Sequence, residues 1–300
     1  MLALTILGNN SAIPAFGRNP TAQILQTREE SYLIDCGEGT QLQMSKYKIK
    51  RSKINHIFIS HLHGDHYFGL IRLLTSLSLL GRTQDLHLYA PAELEQIILL
   101  QLKVADSQLC YTLHFHPLTK DELILNGNKI TVHCFAVQHR IACWGFLFKE
   151  KKKPRKINQE RVLSYEIPVS FYERLQKGED YINKKGLVIP NEEVTFTAPQ
   201  GKSYAYCADT IYDETLPDKI KGVDLLYHET TYLHDLKDKA AARYHSTTLQ
   251  AASIAKKAEV KKLLIGHFSS KYEVLNEFLT EASAGFENTD LALDGVSYII

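Results

Sequence analysis

The hexapeptide His61-Leu62-His63-Gly64-Asp65-His66 places four potential metal ligands within six residues. It follows residues 55–60, an apolar run of strand length, and leads into residues 65–80, whose apolar spacing is typical of a helix. Two histidines separated by one residue point the same way from an extended strand end, and Gly64 allows the chain to turn. The motif is therefore predicted to lie at a strand-to-helix junction, where sites are usual in α/β proteins.

The residue types of this motif indicate a metal site. Imidazole nitrogen and carboxylate oxygen suit Zn²⁺ and neighbouring divalent ions. Four such groups in six residues exceed what one ion usually takes from a single loop, so a two-metal site is the economical interpretation. The alternative is a surface loop that is rich in histidine by chance.

A closed two-metal site needs further ligands from strand ends that face the same edge. Three candidates each follow a predicted strand, namely His139, Asp209 and His267. A single residue of this kind is more often a cap or simply solvated, but together with the first loop the three are expected to complete the site. His114 and His116 also alternate on a predicted strand, yet nothing acidic follows them and we expect no metal there.

The order of predicted elements favours one domain made of two similar halves. Strands alternate with helices before about residue 148 and again after about residue 202, which indicates two stacked sheets with helices outside. We predict an α/β fold with four layers (α+β, an αββα sandwich), with residues 1–300 forming a single catalytic domain. The pattern changes abruptly over residues 149–201, which we interpret as an insertion.

Composition limits the class of protein. The 300 residues carry 35 Lys plus Arg against 34 Asp plus Glu, a net charge of +1, and 44% are hydrophobic. These values indicate a folded globular protein and exclude a uniformly basic nucleic-acid coat. No apolar run approaches the roughly 18 residues of a membrane span. The five cysteines are scattered, without a CxxC pair, and no signal peptide is recognisable, so we expect a cytoplasmic protein without a disulfide framework.

Nine segments carry a resemblance to a known family. They are LGNNSAIPAFGRN (7–19), LIDCGEGTQLQM (33–44), IFISHLHGDHYFGL (57–70), GRTQDLHLYAP (81–91), VQHRIACWGF (137–146), CADT (207–210), YHETTY (227–232), HSTTLQAA (245–252) and LLIGHFSSKY (263–272). Together they resemble the metallo-β-lactamase superfamily and, within it, the ribonuclease Z branch (tRNase Z, tRNA 3′-processing endoribonuclease).

The resemblance implies two Zn²⁺ ions per subunit, although Mn²⁺ or Fe²⁺ would accept the same ligands. One ion would be held by His61, His63 and His139, the other by Asp65, His66 and His267, with Asp209 bridging. The family role of Asp65 is also to orient or deprotonate the attacking water. His245 would protonate the leaving 3′-oxygen or hold the scissile phosphate, while the residues alone leave open that it merely caps a helix.

Four further residues are expected to have supporting roles, two of them by the same resemblance. His228 and Glu229 are expected to form a hydrogen-bonding pair around the ligands rather than to be ligands. Ser269 and Ser270 are placed to contact phosphate, although a solvated loop explains them nearly as well.

The insertion contains the strongest local positive charge of the chain. Family members of this length carry a flexible arm here that binds the tRNA elbow, and in their homodimers the arm of one subunit serves the active site of the other. A solvated charged loop is the alternative. The residues expected to contact RNA are Lys151, Lys152, Lys153, Arg155 and Lys156.

The predicted function is a zinc-dependent endoribonuclease that removes the 3′ trailer from precursor tRNA and leaves a 3′-hydroxyl. Two rivals remain at this stage. One is a phosphodiesterase of the same fold that acts on small phosphodiesters or cyclic nucleotides, against which the basic insertion argues. The other is a metal-bound RNA-binding protein without catalysis, which would be expected to have lost ligands.

Overall fold

The computed structural model describes residues 2–300, in which short strands alternate with helices. The strands are β1 (Ala3–Gly8), β2 (Ala22–Gln26), β3 (Ser31–Ile34), β4 (Ile54–Phe58), β5 (Leu86–Ala90), β6 (Leu113–Pro117), β7 (Glu122–Asn126), β8 (Ile130–Val137), β9 (Cys143–Glu150), β10 (Lys156–Ile157), β11 (Tyr181–Ile182), β12 (Val188–Ile189), β13 (Thr195–Phe196), β14 (Ser203–Cys207), β15 (Leu225–Glu229), β16 (Leu263–Gly266), β17 (Thr289–Leu291) and β18 (Ser297–Ile299). The helices are α1 (Thr40–Lys46), α2 (Gly64–Tyr67), α3 (Leu70–Leu79), α4 (Glu93–Val104), α5 (Gln159–Ser164), α6 (Tyr172–Gln176), α7 (Asn191–Val194), α8 (Leu216–Lys219), α9 (Lys237–Ala242), α10 (Thr248–Lys257) and α11 (Asn276–Gly285).

The chain divides into two compact units. The larger, which we call the sandwich unit, comprises residues up to 127 together with 131–148 and 202–300. The smaller comprises residues 128–130 and 149–201 and is called the insertion.

Two seven-stranded sheets form the sandwich unit. Their strand orders are β18-β1-β2-β3-β4-β5-β6 and β17-β16-β15-β14-β9-β8-β7. Aromatic side chains join their inner faces, with Phe58 of β4 5.4 Å from Phe146 of β9 between ring centroids. Neighbouring strands β3 to β6 are parallel, and so are β14 to β17. The predicted fold class is confirmed.

Helix packing positions the loops that follow the strands. Leu70, Leu73, Leu74 and Leu77 recur at helical spacing on α3 and are all buried against the first sheet. Complete burial of a leucine contributes about 1.5–3 kcal/mol, so this face fixes α3 firmly. The residues just before α3 are thereby held over the ends of the strands.

The helix expected over residues 65–80 is interrupted in the structure. It divides into α2 and α3 at Gly69, whose N–H donates to the carbonyl oxygen of Cys36 at 2.9 Å. A Cβ at this position would collide with the backbone carbonyl of Gly37. The break therefore comes from a close backbone approach between two loops, which helical periodicity does not report.

The insertion has a small core of its own. Residues Val162, Ile167, Leu175, Ile189 and Val194 are buried together. Helices α5, α6 and α7 supply part of this core, and the strands pair as two short sheets, β10 with β13 and β11 with β12. Among residues 2–300, no helix is long and apolar enough to cross a membrane.

Candidate metal centre

The loops that follow four strands bring the seven predicted ligands together. His61 and His63 follow β4, His139 follows β8, Asp209 follows β14 and His267 follows β16. Asp65 and His66 are in α2, which begins directly after His63. We call this set the candidate metal centre: His61, His63, Asp65, His66, His139, Asp209 and His267.

Four ligand atoms form the first half of the centre. Nδ1 of His63 lies 3.1 Å from Nε2 of His61 and 3.1 Å from Nε2 of His139. Oδ2 of Asp209 lies 3.6 Å from Nε2 of His61 and 4.0 Å from Nε2 of His139. A tetrahedral zinc ion with bonds of 2.0–2.1 Å separates its ligands by about 3.3 Å, so these atoms have the spacing of one coordination shell.

The second half repeats the arrangement with the other oxygen of Asp209. Its Oδ1 lies 3.4 Å from Nε2 of His66 and 3.2 Å from Nε2 of His267. Oδ2 of Asp65 lies 3.7 Å from Nε2 of His66 and 3.5 Å from Nε2 of His267. Asp209 Oδ1 is buried without a hydrogen-bond partner among residues 2–300, which fits a bound cation. The donor set therefore suits two divalent ions that share one carboxylate.

The far ring nitrogens of the histidines are oriented by protein acceptors. Nδ1 of His66 donates to Oδ2 of Asp35 at 2.7 Å, and Nδ1 of His139 donates to the carbonyl oxygen of Tyr244 at 2.9 Å. His267 donates in the same way to Thr231 Oγ1 at 2.9 Å. Such contacts fix the tautomer in which Nε2 keeps its lone pair for a metal ion.

Asp35 is a supporting residue that the sequence reasoning missed. It directly follows β3 and is buried, with φ of 54°. Besides His66, it accepts hydrogen bonds from the backbone N–H and hydroxyl of Ser60 at 2.7 and 2.8 Å and from the Tyr206 hydroxyl at 2.6 Å. Its position after a strand was a usable signal, but its partners come from distant parts of the chain.

The protonation of two ligands, His61 and Asp65, suits metal binding. Burial and the neighbouring His66 hold the pKa of His61 well below its usual value. Burial would raise the pKa of Asp65, but His66 and His267 outweigh it and hold that pKa below its usual range. Metal ligands must be neutral imidazoles or ionised carboxylates, which is the state that these shifts favour for His61 and Asp65. At His66 burial would lower the pKa, but neighbouring carboxylates outweigh it and raise the pKa, so a metal ion would have to replace that proton.

His245 lies beside the centre and is held by Glu229. Its Nδ1 donates to Oε1 of Glu229 at 2.9 Å and lies 3.9 Å from Oδ2 of Asp209. Burial would lower the pKa of His245, but Glu229 and then Asp209 outweigh it and raise the pKa to about 9. The start of α10 follows closely, where Thr247 and Gln250 form a reciprocal capping box. Thr247 thus caps the helix, and His245 is left with its ring against Glu229.

Glu229 connects the two sides of this region. It accepts hydrogen bonds from the N–H of Ser246 at 2.9 Å and from the hydroxyl of Thr231 at 2.8 Å, and Thr231 in turn contacts His267. The carboxylate is buried. Glu229 therefore links His245 to a residue of the candidate metal centre.

The other predicted supporting residues lie farther from the ligand atoms. His228 is fully buried; its Nδ1 donates to the carbonyl oxygen of Glu229 at 2.7 Å, and its Nε2 has no partner among residues 2–300. Ser269 and Ser270 are half-buried in the loop after β16. The N–H of Ser269 donates to the carbonyl oxygen of Thr231 at 3.2 Å. His228 and Glu229 therefore differ in their contacts. The side chain of Glu229 contacts His245, whereas His228 contacts only the backbone of Glu229.

A cavity of about 510 Å³ opens onto the candidate metal centre. It is lined by His63, Asp65, Asp209 and His245 together with Arg140. This volume lies within the range of about 300–1,000 Å³ that is usual for small-molecule sites.

The basic residues of the insertion differ in exposure. Lys151, Lys152, Lys153 and Lys156 are exposed, whereas Arg155 is half-buried. Nε of Arg155 donates to Thr195 Oγ1 at 2.7 Å. Arg155 therefore helps to hold the insertion together, and the four lysines are the exposed cations of this segment.

Four other histidines form a second cluster, which we call the histidine column: His56, His87, His114 and His116. Ring centroids are 5.1 Å apart between His56 and His87 and 4.8 Å apart between His87 and His114. Nε2 of His114 contacts Asp85 at 2.8 Å. Among the described residues, the groups of three or more side chains able to hold a metal ion all lie at the candidate metal centre or beside it, and none lies in the column.

Comparison with known proteins identifies the family. The chain is 43% identical over 299 residues to "Ribonuclease Z" of Bacteroides thetaiotaomicron, covering 99% of this chain and 95% of that protein. It is 45% identical to "Ribonuclease Z" of Cytophaga hutchinsonii, covering 99% and 96%. The chain belongs to the ribonuclease Z family. The predicted resemblance is confirmed, and the chain is a metal-dependent hydrolase, as predicted.

One family model and two solved structures also match the chain. The model of the family described as "Anti-Pycsar protein Apyc1" matches residues 2–154. Among solved structures, human tRNase Z, short form, is similar with a TM-score of 0.73 and 26% identity, covering 99% of both chains. The protein YhfI of Bacillus subtilis, at 18% identity and a TM-score of 0.71 over all of both chains, shares the metallo-β-lactamase fold.

Proposed function

We propose that this protein removes the 3′ trailer from precursor tRNA by hydrolysing one phosphodiester bond, leaving a 3′-hydroxyl on the tRNA. The observation that carries the proposal is the shared Asp209, whose two oxygens each face one half of the ligand set while His245 stands beside them. Two metal ions a few ångströms apart are the usual means of stabilising an in-line displacement at phosphorus. The names of the full-length relatives support the substrate class.

We assign one metal ion to His61, His63, His139 and Asp209, and a second to Asp65, His66, His267 and Asp209. Zn²⁺ is favoured because the donors are mostly imidazoles at tetrahedral spacing, and the same donors would accept Mn²⁺ or Fe²⁺. Bound zinc would lower the pKa of a water molecule and stabilise negative charge on the phosphoryl group.

The chain's own groups then have separate tasks. Asp65 orients or deprotonates the attacking water; its Oδ2 is held in place by the N–H of Ala12 at 2.7 Å. His245 gives a proton to the leaving 3′-oxygen, because its Nδ1–H is occupied by Glu229 and its Nε2 remains for the substrate. Glu229 keeps the imidazole of His245 in this orientation.

The insertion supplies affinity for the tRNA body. Its exposed lysines 151–153 and 156 form a local positive charge on a chain whose net charge is only +1. Phosphate contacts from such residues provide most of the affinity for nucleic acid and make it dependent on salt. Ser269, Ser270 and His228 have weaker support, since no contact with the ligand atoms distinguishes them.

The test uses a 3′-extended precursor tRNA. The intact protein should release the trailer in one cut. Asp65→Ala should reduce kcat/KM by at least about 10²–10⁴-fold, because the attacking water loses its orientation and the second metal ion loses a ligand. If the intact protein leaves the precursor whole yet hydrolyses bis(p-nitrophenyl) phosphate, the tRNA assignment is wrong.

A charge variant tests the insertion separately. Replacing Lys151, Lys152 and Lys153 by glutamine should raise KM for the precursor at least about tenfold and lower the slope of log KM against log salt by about 2 to 3. The control replaces three exposed lysines of the sandwich unit, Lys221→Gln, Lys237→Gln and Lys256→Gln, and should leave both quantities near their original values. Equal effects in the two triple variants would show that the insertion has no special role.

A second candidate function is the hydrolysis of small phosphodiesters or cyclic nucleotides. The size of the cavity favours it, since about 510 Å³ is enough for a mononucleotide without any contact to the insertion. In that case the triple lysine variant would leave turnover of the physiological substrate unchanged. Parallel assays with cyclic nucleotides and precursor tRNA distinguish the two functions by kcat/KM.

We also propose that the enzyme is a homodimer. Large apolar side chains on α4, at the end of α3 and just after it are exposed to between 59% and 80%, which is unusual for the free surface of a monomer. They are Leu79, Leu80, Leu99, Leu100 and Val104. Sedimentation equilibrium should give twice the chain mass, and Leu100→Glu together with Val104→Glu should shift the protein to monomer.

A cytoplasmic location is proposed as well. All five cysteines are free thiols, four of them buried, which suits a reducing compartment. Cell fractionation with an antibody against the protein tests this location.

A further inference from the structure

A second groove adjoins the catalytic cavity. The cavity of about 510 Å³ and this groove of about 480 Å³ share Glu38 and Phe68 in their walls. Beyond these two residues the groove is lined by Leu42 of α1, Arg72 of α3 and Arg51. We call it the side groove. Because the walls are shared, a chain bound at the candidate metal centre can continue into it.

Phe68 stands at the junction of the two spaces. Phe68 is 64% exposed, although phenylalanine is among the residues most often buried. The ring lies against the backbone of Gly64, where a Cβ would collide with it. Leu42 in the same groove is 76% exposed. An exposed ring supported from behind provides a face on which a base can stack.

Two cations without protein partners flank this ring. Arg72 lines the side groove and Arg140 lines the catalytic cavity, and both are exposed. Among residues 2–300, neither guanidinium group makes a hydrogen bond or an ion pair. By contrast, Arg51 donates to the carbonyl oxygen of Gln41 at 3.4 Å and also contacts Ser45. Arg72 and Arg140 are therefore the guanidinium groups left free to bind phosphate.

We propose that the side groove holds the single-stranded 3′ trailer of the substrate, with a base stacked on Phe68 and a phosphate bound by Arg72. This inference rests on the proposed function, because it assigns one part of the precursor to one part of the surface. Glu38 repels phosphate, so a base rather than a phosphate lies beside it.

The residues of the side groove favour the single-stranded trailer over the acceptor stem. RNA continues on both sides of the scissile phosphate, as a duplex stem with one unpaired nucleotide on one side and as a single strand on the other. An exposed aromatic ring between separated cations is the usual design for single-stranded nucleic acid, whose bases are free to stack on protein. A duplex is recognised mainly through its backbone and shape, so the stem side offers only its one unpaired nucleotide for stacking, whereas every base of the trailer is free.

The experiment compares precursors that differ in trailer length. One carries a single-nucleotide trailer and the other an unstructured trailer of ten nucleotides. For Arg72→Gln and for Phe68→Leu, KM for the long-trailer precursor should rise roughly tenfold more than KM for the short one, as expected for loss of one stacked base or one phosphate contact. Arg28→Gln is the matched control, because Arg28 is exposed in the β2–β3 turn, at the other end of β3 from Asp35. The ratio of KM for the long-trailer precursor to KM for the short one should be the same in Arg28→Gln as in the unchanged enzyme.

A binding measurement makes the result independent of catalysis. A 5′-phosphorylated decaribonucleotide, equivalent to the released trailer, should bind the unchanged enzyme and lose about tenfold in affinity in Arg72→Gln, by fluorescence anisotropy. Equal changes for the two trailer lengths, or no change for either, overturn the side-groove assignment while cleavage of the short precursor upholds the proposed function. A change in sedimentation of Arg72→Gln would instead assign the groove to contact between subunits, and failure to cleave either precursor would end both proposals.

Discussion

The candidate metal centre and the histidine column both contain several histidines, but those of the column lie within strands and those of the centre lie in the loops after strands. In the column, His56, His87 and His114 occupy paired positions within β4, β5 and β6. Side chains at paired positions lie side by side, and the rings stack. At the metal centre the histidines follow the strands, where the alternation of a strand no longer directs them, and their nitrogens converge.

Carboxylates make the second difference. Three of them surround His66, those of Asp209, Asp65 and Asp35, and they raise its pKa well above the usual value although burial opposes this. His56 has no such neighbour; burial, and then His87 and His116, lower its pKa to about 4. The column has a carboxylate at its exposed end, where Asp85 contacts His114. A cluster of histidines therefore predicts a metal site only when carboxylate oxygens and ring nitrogens converge on one point.

The largest effect is expected from removing the shared carboxylate. Asp209→Ala takes a ligand from both halves of the centre at once, so bound zinc should fall from two ions per chain to one or none. Precursor cleavage should fall by more than about 10³-fold, because metal-assisted displacement is lost. Plasma mass spectrometry of the dialysed protein and single-turnover kinetics measure the two quantities.

The matched control lies in the histidine column. His87→Phe replaces an imidazole of the column by a phenyl ring of comparable size. This variant should retain both zinc ions and more than half of the activity. If Asp209→Ala kept two zinc ions, or if His87→Phe lost them, the conclusion that the metal centre and not the column binds zinc would be wrong.

The second largest effect is expected from His245→Ala. The zinc content should stay at two ions per chain, while kcat for the precursor falls by about 10²–10⁴-fold because the leaving oxygen lacks a proton donor. A substrate with a good leaving group, such as bis(p-nitrophenyl) phosphate, should be affected much less. Loss of zinc in this variant would instead make His245 a ligand, a role that its 3.9 Å distance from Asp209 permits geometrically.

The same contrast explains what could be predicted from the sequence. Each expected ligand of the centre directly follows an apolar strand or opens the helix after it, so spacing and residue type sufficed to bring them together. Asp35 also follows a strand, but its role depends on Ser60, 25 residues away, and on Tyr206, 171 residues away. The column depends on the register between strands, which no single segment reveals.

The core of the insertion and the break between α2 and α3 could not be predicted from the sequence, for related reasons. Charge composition predicts an insertion over residues 149–201, but the core of this segment comes from five apolar residues spread over short elements, too few for a periodic pattern. The break at Gly69 arises from contact with the loop after β3. In both cases the deciding contact joins residues that are distant in sequence.

A smaller effect is expected from the titration of His56. Its pKa is about 4 in the folded protein and about 6.5 in an unfolded chain. Between these values the unfolded chain binds more protons, so the free energy of unfolding must fall as the pH falls through this window. His56→Phe keeps a ring against Tyr32, His87 and Tyr89 but cannot titrate.

The free energy of unfolding of His56→Phe, relative to the unchanged protein, should therefore rise by about 1–2 kcal/mol between pH 7 and pH 5. Urea unfolding of both proteins after treatment with a chelator excludes a contribution from metal release. A difference that is constant with pH would mean that His56 titrates normally.

The smallest effect is expected at the exposed end of the column. His114 contacts Asp85 at 2.8 Å, but their side chains are 40% and 55% exposed. Ion pairs in such surroundings contribute about 0–1 kcal/mol, so His114→Gln should change the free energy of unfolding by less than about 1 kcal/mol and leave zinc content and activity unchanged. A double-mutant cycle with Asp85→Asn at low and high salt measures the coupling, which should weaken as salt screens the charges. A coupling that persists in high salt would indicate that this histidine is held by more than its exposed partner, as the histidines of the metal centre are.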